Sequence, residues 1–363
     1  MNEGDDTCET IHGHIRLRTF FPLCKSKDHV DQHCVTNILC LGYPAQLEGA
    51  NAMRDYAKEL PEHREKFIGE NDLFLEIFHG NHGSQQPGRP RLLFVHGAFT
   101  GSWMWSKYIP HFMAAGWDSY CINLRGHYKS RSVDFTQVEF AHYLEDIREG
   151  IAEIVDETGS PPVVIGFSMG GILSQKLAES VEIAGLVLID SSICRQVHDA
   201  VPYQDLAPRA PGLVVPAPAR GEQFSADETS EDIAFQRKYL SMESGKAFAA
   251  FSFHFGAQGI SVDGGRITCP SLVISAVGDE DDDHRGRAAA RHIGGEYLGL
   301  SGTTHTGLLV GQRYHEAVSS IMDWLARLEN CSSQPSKPWP ANGHQNRLPG
   351  ATNIELHAPR CDK

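Results

Sequence analysis

A serine lies at the centre of Gly166-Phe167-Ser168-Met169-Gly170, with a glycine two residues to either side. Before it runs Pro162-Val163-Val164-Ile165, a short apolar and β-branched stretch. Such a stretch reads as a strand covered on both faces. A strand that reverses straight into a helix crowds the residue at its tip, so the flanking positions need glycine. The turn presents the Ser168 hydroxyl at a helix N-terminus, where free N–H groups and the positive end of the dipole gather. An alkoxide and an oxyanion are stabilised there. A serine hydroxyl is a poor nucleophile at neutral pH and needs a general base. His305 follows the last apolar run and can shuttle the proton. A carboxylate must then hold the imidazole tautomer. Asp279 closes the penultimate strand and is the expected acid. Glu280, Asp281 and the earlier Asp190 stand as alternatives.

The elements that must position these groups alternate along the chain. Lys66–Ile68 and Leu73–Phe78 read as an edge hairpin across Gly69–Asp72. Arg91–Val95 is a buried strand leading into His96-Gly97-Ala98-Phe99-Thr100-Gly101-Ser102-Trp103-Met104-Trp105. Asp118–Leu124 is the next strand, and 136–157 is an amphipathic helix with Leu144, Ile147, Ile151, Ile154 and Val155 on one face. The serine strand follows, then Ala184–Asp190. Residues 192–268 break the alternation with a Pro-rich loop and two helices, 231–240 and 244–255, the second rich in phenylalanine. This insertion is expected to cover the carboxyl edge of the sheet as a cap. Ser271–Ala276 and Glu296–Leu300 complete the sheet with a short helix, His284–His292, between them, and a helix over 312–330 ends the core. Residues 1–65 form an N-terminal extension with a helix expected over 51–65. The core occupies 66–191 and 269–330. The tail 331–363 is Ser/Pro/Asn-rich and expected to be disordered. Strands alternating with helices specify a mostly parallel sheet with helices on both faces.

The chain has 363 residues and a formal net charge of −14. That charge speaks against a nucleic-acid surface and an anionic membrane. No apolar run reaches the roughly 20 residues of a membrane span. Met1–Asp6 is acidic, unlike a secretory signal, so the expected location is the cytoplasm. The nine cysteines show no paired spacing, and a disulfide framework or zinc site is not expected. No cluster suggests a metal, flavin or nicotinamide site, so no cofactor is expected.

The ordered set Ser168, Asp279, His305 resembles the α/β-hydrolase superfamily over about residues 66–328, and with it that family's fold. Gly-Phe-Ser-Met-Gly resembles its nucleophile turn. Leu124-Arg125-Gly126-His127 is similar to the segment after its fourth strand. His96-Gly97-Ala98 with Gly101, Trp103 and Trp105 resembles the oxyanion loop of the methyl-ester esterase and hydroxynitrile lyase branch. The resemblance implies an oxyanion hole from the N–H groups of Ala98 and Met169, and a cap after Asp190. His96 reads as a structural histidine and the tryptophans as packing anchors. Phe99, Phe167 and His254 are candidate substrate contacts. Serine at the tip excludes the dehalogenase and epoxide hydrolase chemistries, which use aspartate there. The expected activity is hydrolysis of a small or medium carboxylic ester or lactone through an acyl-enzyme. Alternatives are amide or carbon–carbon bond hydrolysis at the same site, cyanohydrin cleavage, and a ligand receptor on a hydrolase scaffold.

Overall fold

The structure is a computed structural model and describes residues 54–81, 89–203, 213–220, 227–253, 257–332 and 352–355. Its centre is a sheet of nine strands: β1 Arg64–Ile68, β2 Leu73–Phe78, β3 Leu92–Val95, β4 Ser119–Ile122, β5 Val163–Phe167, β6 Gly185–Ile189, then β9 Ser271–Val277, β10 Glu296–Ser301 and β11 Thr352–Glu355. The spatial order is β1-β2-β4-β3-β5-β6-β9-β10-β11. Neighbours from β4 to β10 run parallel, and β1, β2 and β11 are antiparallel additions at the two margins.

The helices are α1 Ile109–Ala114, α2 Phe140–Thr158, α3 Met169–Ala178, α4 Arg195–Ala200, α5 Ser230–Tyr239, α6 Gly245–Ser252, α7 Glu280–Ile293, α8 Gly307–Val310 and α9 Tyr314–Ser332. A two-stranded ribbon, β7 Val214–Val215 and β8 Glu243–Ser244, lies between β6 and β9 with α4, α5 and α6.

Strand alternation divides the apolar residues between the two faces. On β3, Leu93 and Val95 join a cluster with Ile147 and Ile151 of α2 and Leu173 of α3. Leu92 and Phe94 join the opposite cluster with Phe112 of α1 and Ile321 and Trp324 of α9. All four residues of β3 are buried, which is why the run reads as continuously apolar.

The chain passes from β3 outward to β4, then back across β3 to β5. The loops after β3 and β5 therefore leave adjacent strands in opposite directions. A crevice opens at such a switch point, outside the carboxyl ends of the strands. Both the His96–Trp105 loop and Ser168 stand at its rim.

Three expectations need correction here. The helix expected over 51–65 is one short 3₁₀ turn, Tyr56–Lys58, and β1 begins at Arg64. Pro61 lacks the N–H a helix would need there. The helix expected to start at His284 starts at Glu280, because Asp279 caps it and four acidic residues occupy its first turn. The tail contributes a strand: Thr352–Glu355 pairs antiparallel with β10, whose outer edge carries unpaired backbone groups.

Candidate active site

β5 delivers Ser168 to its carboxyl end in a left-handed conformation, φ 53°, ψ −118°. Few side-chain-bearing residues adopt it, and it persists only where the surroundings enforce it. Two glycines make the turn possible. A Cβ on Gly166 would stand 2.5 Å from the Gly170 carbonyl oxygen, and one on Gly170 would stand 2.4 Å from that of Val95. Backbone fills both places.

His305 lies on the loop between β10 and α8. Its Nε2 is 3.0 Å from Ser168 Oγ, and its Nδ1 is 2.6 Å from Asp190 Oδ2. An ionised carboxylate only accepts, so Nδ1 carries the proton and Nε2 is left to accept from the serine hydroxyl. The Phe167 ring lies against the imidazole at 4.6 Å between centroids.

The carboxylate at His305 is thus Asp190 and not Asp279. The reason is register. β5 and β6 are neighbours with Phe167 opposite Ile189, so the residues that follow, Ser168 and Asp190, leave the sheet side by side. The Asp190 N–H donates to Ile274 O, and its Oδ1 accepts from Ala276 N at 3.0 Å, which leaves Oδ2 for the histidine. Asp279 instead accepts from Asp282 N at 2.9 Å as the N-cap of α7. Glu280 and Asp281 lie in that helix's first turn. The signal that favours Asp190 in the sequence is its place directly after the strand beside the serine strand. Among the described residues, Phe99, Ser168 and Asp190 are three of six non-glycine residues with positive φ, and all three line one cavity.

The loop after β3 is fixed from below by His96, which is fully buried. Its Nε2 accepts from Leu124 N at 3.1 Å, so Nδ1–H donates to Gly97 O at 2.8 Å. Thr100 Oγ1 donates to the same carbonyl. Burial, with His127 adding, holds the His96 pKa down at about 3, so the ring is neutral. Ala98 and Phe99 above it line the cavity. Met169 is the first residue of α3, where an amide has no partner within the helix. Among the described residues, neither the Ala98 nor the Met169 amide donates to a backbone carbonyl in the loops and caps.

A buried network ties this loop to the insertion. Glu243 of β8 accepts from Tyr143 Oη at 2.5 Å, Ser244 N at 2.7 Å, His127 Nε2 at 3.1 Å and Phe99 N at 3.4 Å. His127 Nδ1 faces Arg125 O at 3.1 Å. Both ring nitrogens meet acceptors, so both must donate and the ring is an imidazolium. Burial opposes that charge, yet the Glu243 carboxylate outweighs it and raises the His127 pKa. Nothing in the sequence singled out Glu243. An isolated glutamate between two helices carries no signal until the chain folds it against His127.

The cavity measures about 720 Å³. Its lining is mostly apolar, with Phe99, Phe167, Ile193, Leu240, Phe248 and Phe251, and also carries Arg220, Asp282 and Arg285. Phe99 and Phe248 meet across it at 5.5 Å. Core and insertion both contribute walls. Trp103 and Trp105 are buried to 1% exposure or less and pack on Tyr239 and Phe94, away from the cavity. His254, a candidate substrate contact from sequence, lies outside the described residues.

A parallel sheet with a serine at the switch point, a histidine after the last core strand and an insertion over the crevice defines a hydrolase-type α/β protein. The comparisons agree. A family model described as "Alpha/beta hydrolase family" matches residues 92–320, and the chain belongs to that family. Among solved structures, it is similar to an esterase from Thermogutta terrifontis, at 18% identity and TM-score 0.52, over 74% of this chain and 99% of that one. It is also similar to a soluble variant of monoglyceride lipase from Saccharomyces cerevisiae in complex with a substrate analog, at 15% identity and TM-score 0.55, over 79% and 99%. A third is MenH from S. aureus, at 19% identity and TM-score 0.52, over 70% and 99%. At these identities the likeness carries the fold. No sequence among the curated proteins matches this chain. No helix among the described residues is long and apolar enough to cross a membrane.

Proposed function

We propose that this protein hydrolyses carboxylic esters of small or medium size, lactones included, through an acyl-enzyme on Ser168. The observation that carries the reading is the continuous chain of contacts from Ser168 Oγ through both nitrogens of His305 to Asp190. The Ser168 hydroxyl gives its proton to His305 Nε2 as Oγ bonds to the ester carbonyl carbon. Asp190 holds the imidazolium so formed. The carbonyl oxygen becomes an oxyanion facing the amides of Ala98 and Met169. The tetrahedral intermediate collapses, the carbon–oxygen bond to the alcohol breaks, and Nε2 returns its proton to the departing alkoxide. Water then attacks the acyl carbon with His305 as base, and the carboxylic acid leaves with Ser168 restored.

The mostly apolar cavity that Ser168 lines, with a volume of about 720 Å³, suits an acyl or alcohol group of modest size. The similar structures named above include an esterase and a monoglyceride lipase, which fits the same reading. Ser168→Ala is expected to lower kcat for p-nitrophenyl butyrate by roughly 10⁴-fold or more. A fluorophosphonate probe should label wild type and leave that variant unlabelled. Wild-type protein that neither turns over the ester nor takes the label would favour a ligand receptor on this scaffold.

A further inference from the structure

His305 sits on an irregular loop, and its side chain is 48% exposed. Catalysis at Ser168 needs that ring held to a fraction of an ångström. The loop reads Thr303-Thr304-His305-Thr306, three threonines around one histidine. Each threonine hydroxyl donates to a carboxylate of the insertion. Thr303 Oγ1 donates to Asp227 Oδ2 at 2.6 Å. Thr304 Oγ1 donates to Glu228 Oε2 at 2.9 Å, and Thr306 Oγ1 to Glu228 Oε1 at 2.8 Å. Asp227 and Glu228 are themselves buried, at 4% and 6% exposure.

Both carboxylates are anchored beyond the loop. Asp227 Oδ1 accepts from Arg313 N at 2.9 Å, and its carbonyl accepts from Gln312 N at 2.8 Å. Glu228 Oε1 also accepts from Gln236 Nε2 at 2.8 Å and Arg220 Nη2 at 2.7 Å. The chain after His305 is shaped to admit Asp227. A Cβ on Gly307 would stand 2.6 Å from Asp227 Oδ2, and one on Gly311 would stand 2.2 Å away. Glycines at both ends of α8 thus clear the space this carboxylate fills.

We infer that Asp227 and Glu228 are positioning residues for the reaction, an acidic clamp by which the insertion sets the His305 loop so that the imidazole reaches Ser168. Assembly of the site is then tied to the seating of the insertion. When residues 227–228 lift away, three hydroxyl contacts are lost together and the base is no longer held opposite its nucleophile. The inference rests on the hydrolase reading above for its catalytic consequence.

The test replaces Thr304 and Thr306 together by valine, which keeps their shape and removes both hydroxyls, and in parallel by serine, which keeps the hydroxyls. With p-nitrophenyl butyrate, the valine pair is expected to lose roughly 10- to 100-fold in kcat with little change in KM, the size of effect a small misplacement produces. The serine pair should keep near wild-type kcat. Hydrogen exchange at the amides of residues 303–307 should speed up in the valine pair alone, with thermal melts showing every variant folded at the assay temperature. Unchanged kcat and exchange in the valine pair would overturn the clamp, as would an equal loss in the serine pair. Wild-type protein that turns over no ester and takes no fluorophosphonate sinks the hydrolase reading, and the exchange comparison still decides the clamp.

Discussion

Asp190 and Asp279 offer the sharpest test at the level of single residues. Both close a strand, and the sequence favoured Asp279 because it closes the penultimate one. The structure gives Asp190 the contact with His305 and Asp279 a helix to cap. Asp190→Asn keeps the shape but lets an amide N–H face Nδ1, which pushes the histidine toward the wrong tautomer. The expected loss in kcat is roughly 10⁴-fold. Asp279→Asn replaces one good N-cap by another, so kcat should stay within about twofold and stability within about 1 kcal/mol. Turnover assays and thermal melts on the two variants settle the assignment, and a crippled Asp279→Asn with a healthy Asp190→Asn would reverse it. Ser168 and His305, which the structure brings into contact, could be picked out in the sequence by their types and the glycines around them. The acid was harder, because an aspartate after a strand looks the same whether it turns toward the crevice or back onto its own helix. Only the pairing of β5 with β6 decides.

Elements were legible where hydrophobic period and length agreed. β3, β5 and β6 are fully buried runs bounded by loops, and the sequence places them within a residue or two. Helix ends were less legible, because caps such as Asp279 and Thr229 are polar residues like any in a loop. The insertion was least legible, since its joints to the core are single polar side chains. Glu243 is the clearest case. It joins β8 to α2 through Tyr143, to the segment after β4 through His127, and to the loop after β3 through the Phe99 amide. Glu243→Ala strands a buried imidazolium, a change that costs about 3–5 kcal/mol. Urea unfolding should show that loss. Glu243→Gln still accepts from one partner and should lose less. Near-equal midpoints for wild type and Glu243→Ala would show that the ion pair does not join the elements.

The whole molecule adds these contacts into a dependence on pH. His96 and His127 have rings 5.0 Å apart, and their pKa values are shifted in opposite directions. Burial holds His96 neutral down to about 3. In the unfolded chain it takes a proton near pH 6.5. Between those values the unfolded state binds the extra proton, so stability falls as pH falls, by at most about 1.4 kcal/mol per pH unit for one such group. His127 is the reverse: its folded pKa is raised because Glu243 outweighs the desolvation. The stabilisation it supplies is complete below about pH 6.5 and is lost as pH climbs through the folded value. His63, raised mainly by the Glu76 carboxylate 3.5 Å from its Nε2, acts in the same direction. Among these histidines, His96 lowers stability as pH falls below about 6.5, and His127 and His63 lower it as pH rises above that value. His96→Gln removes the acid-side group. That variant is expected to be less stable near pH 7, because the loop after β3 loses an anchor, yet its urea midpoint should fall less steeply than wild type from pH 6.5 to 4.5. Parallel slopes over that interval would mean that a neutral His96 does not set the acid limb and that buried carboxylates do.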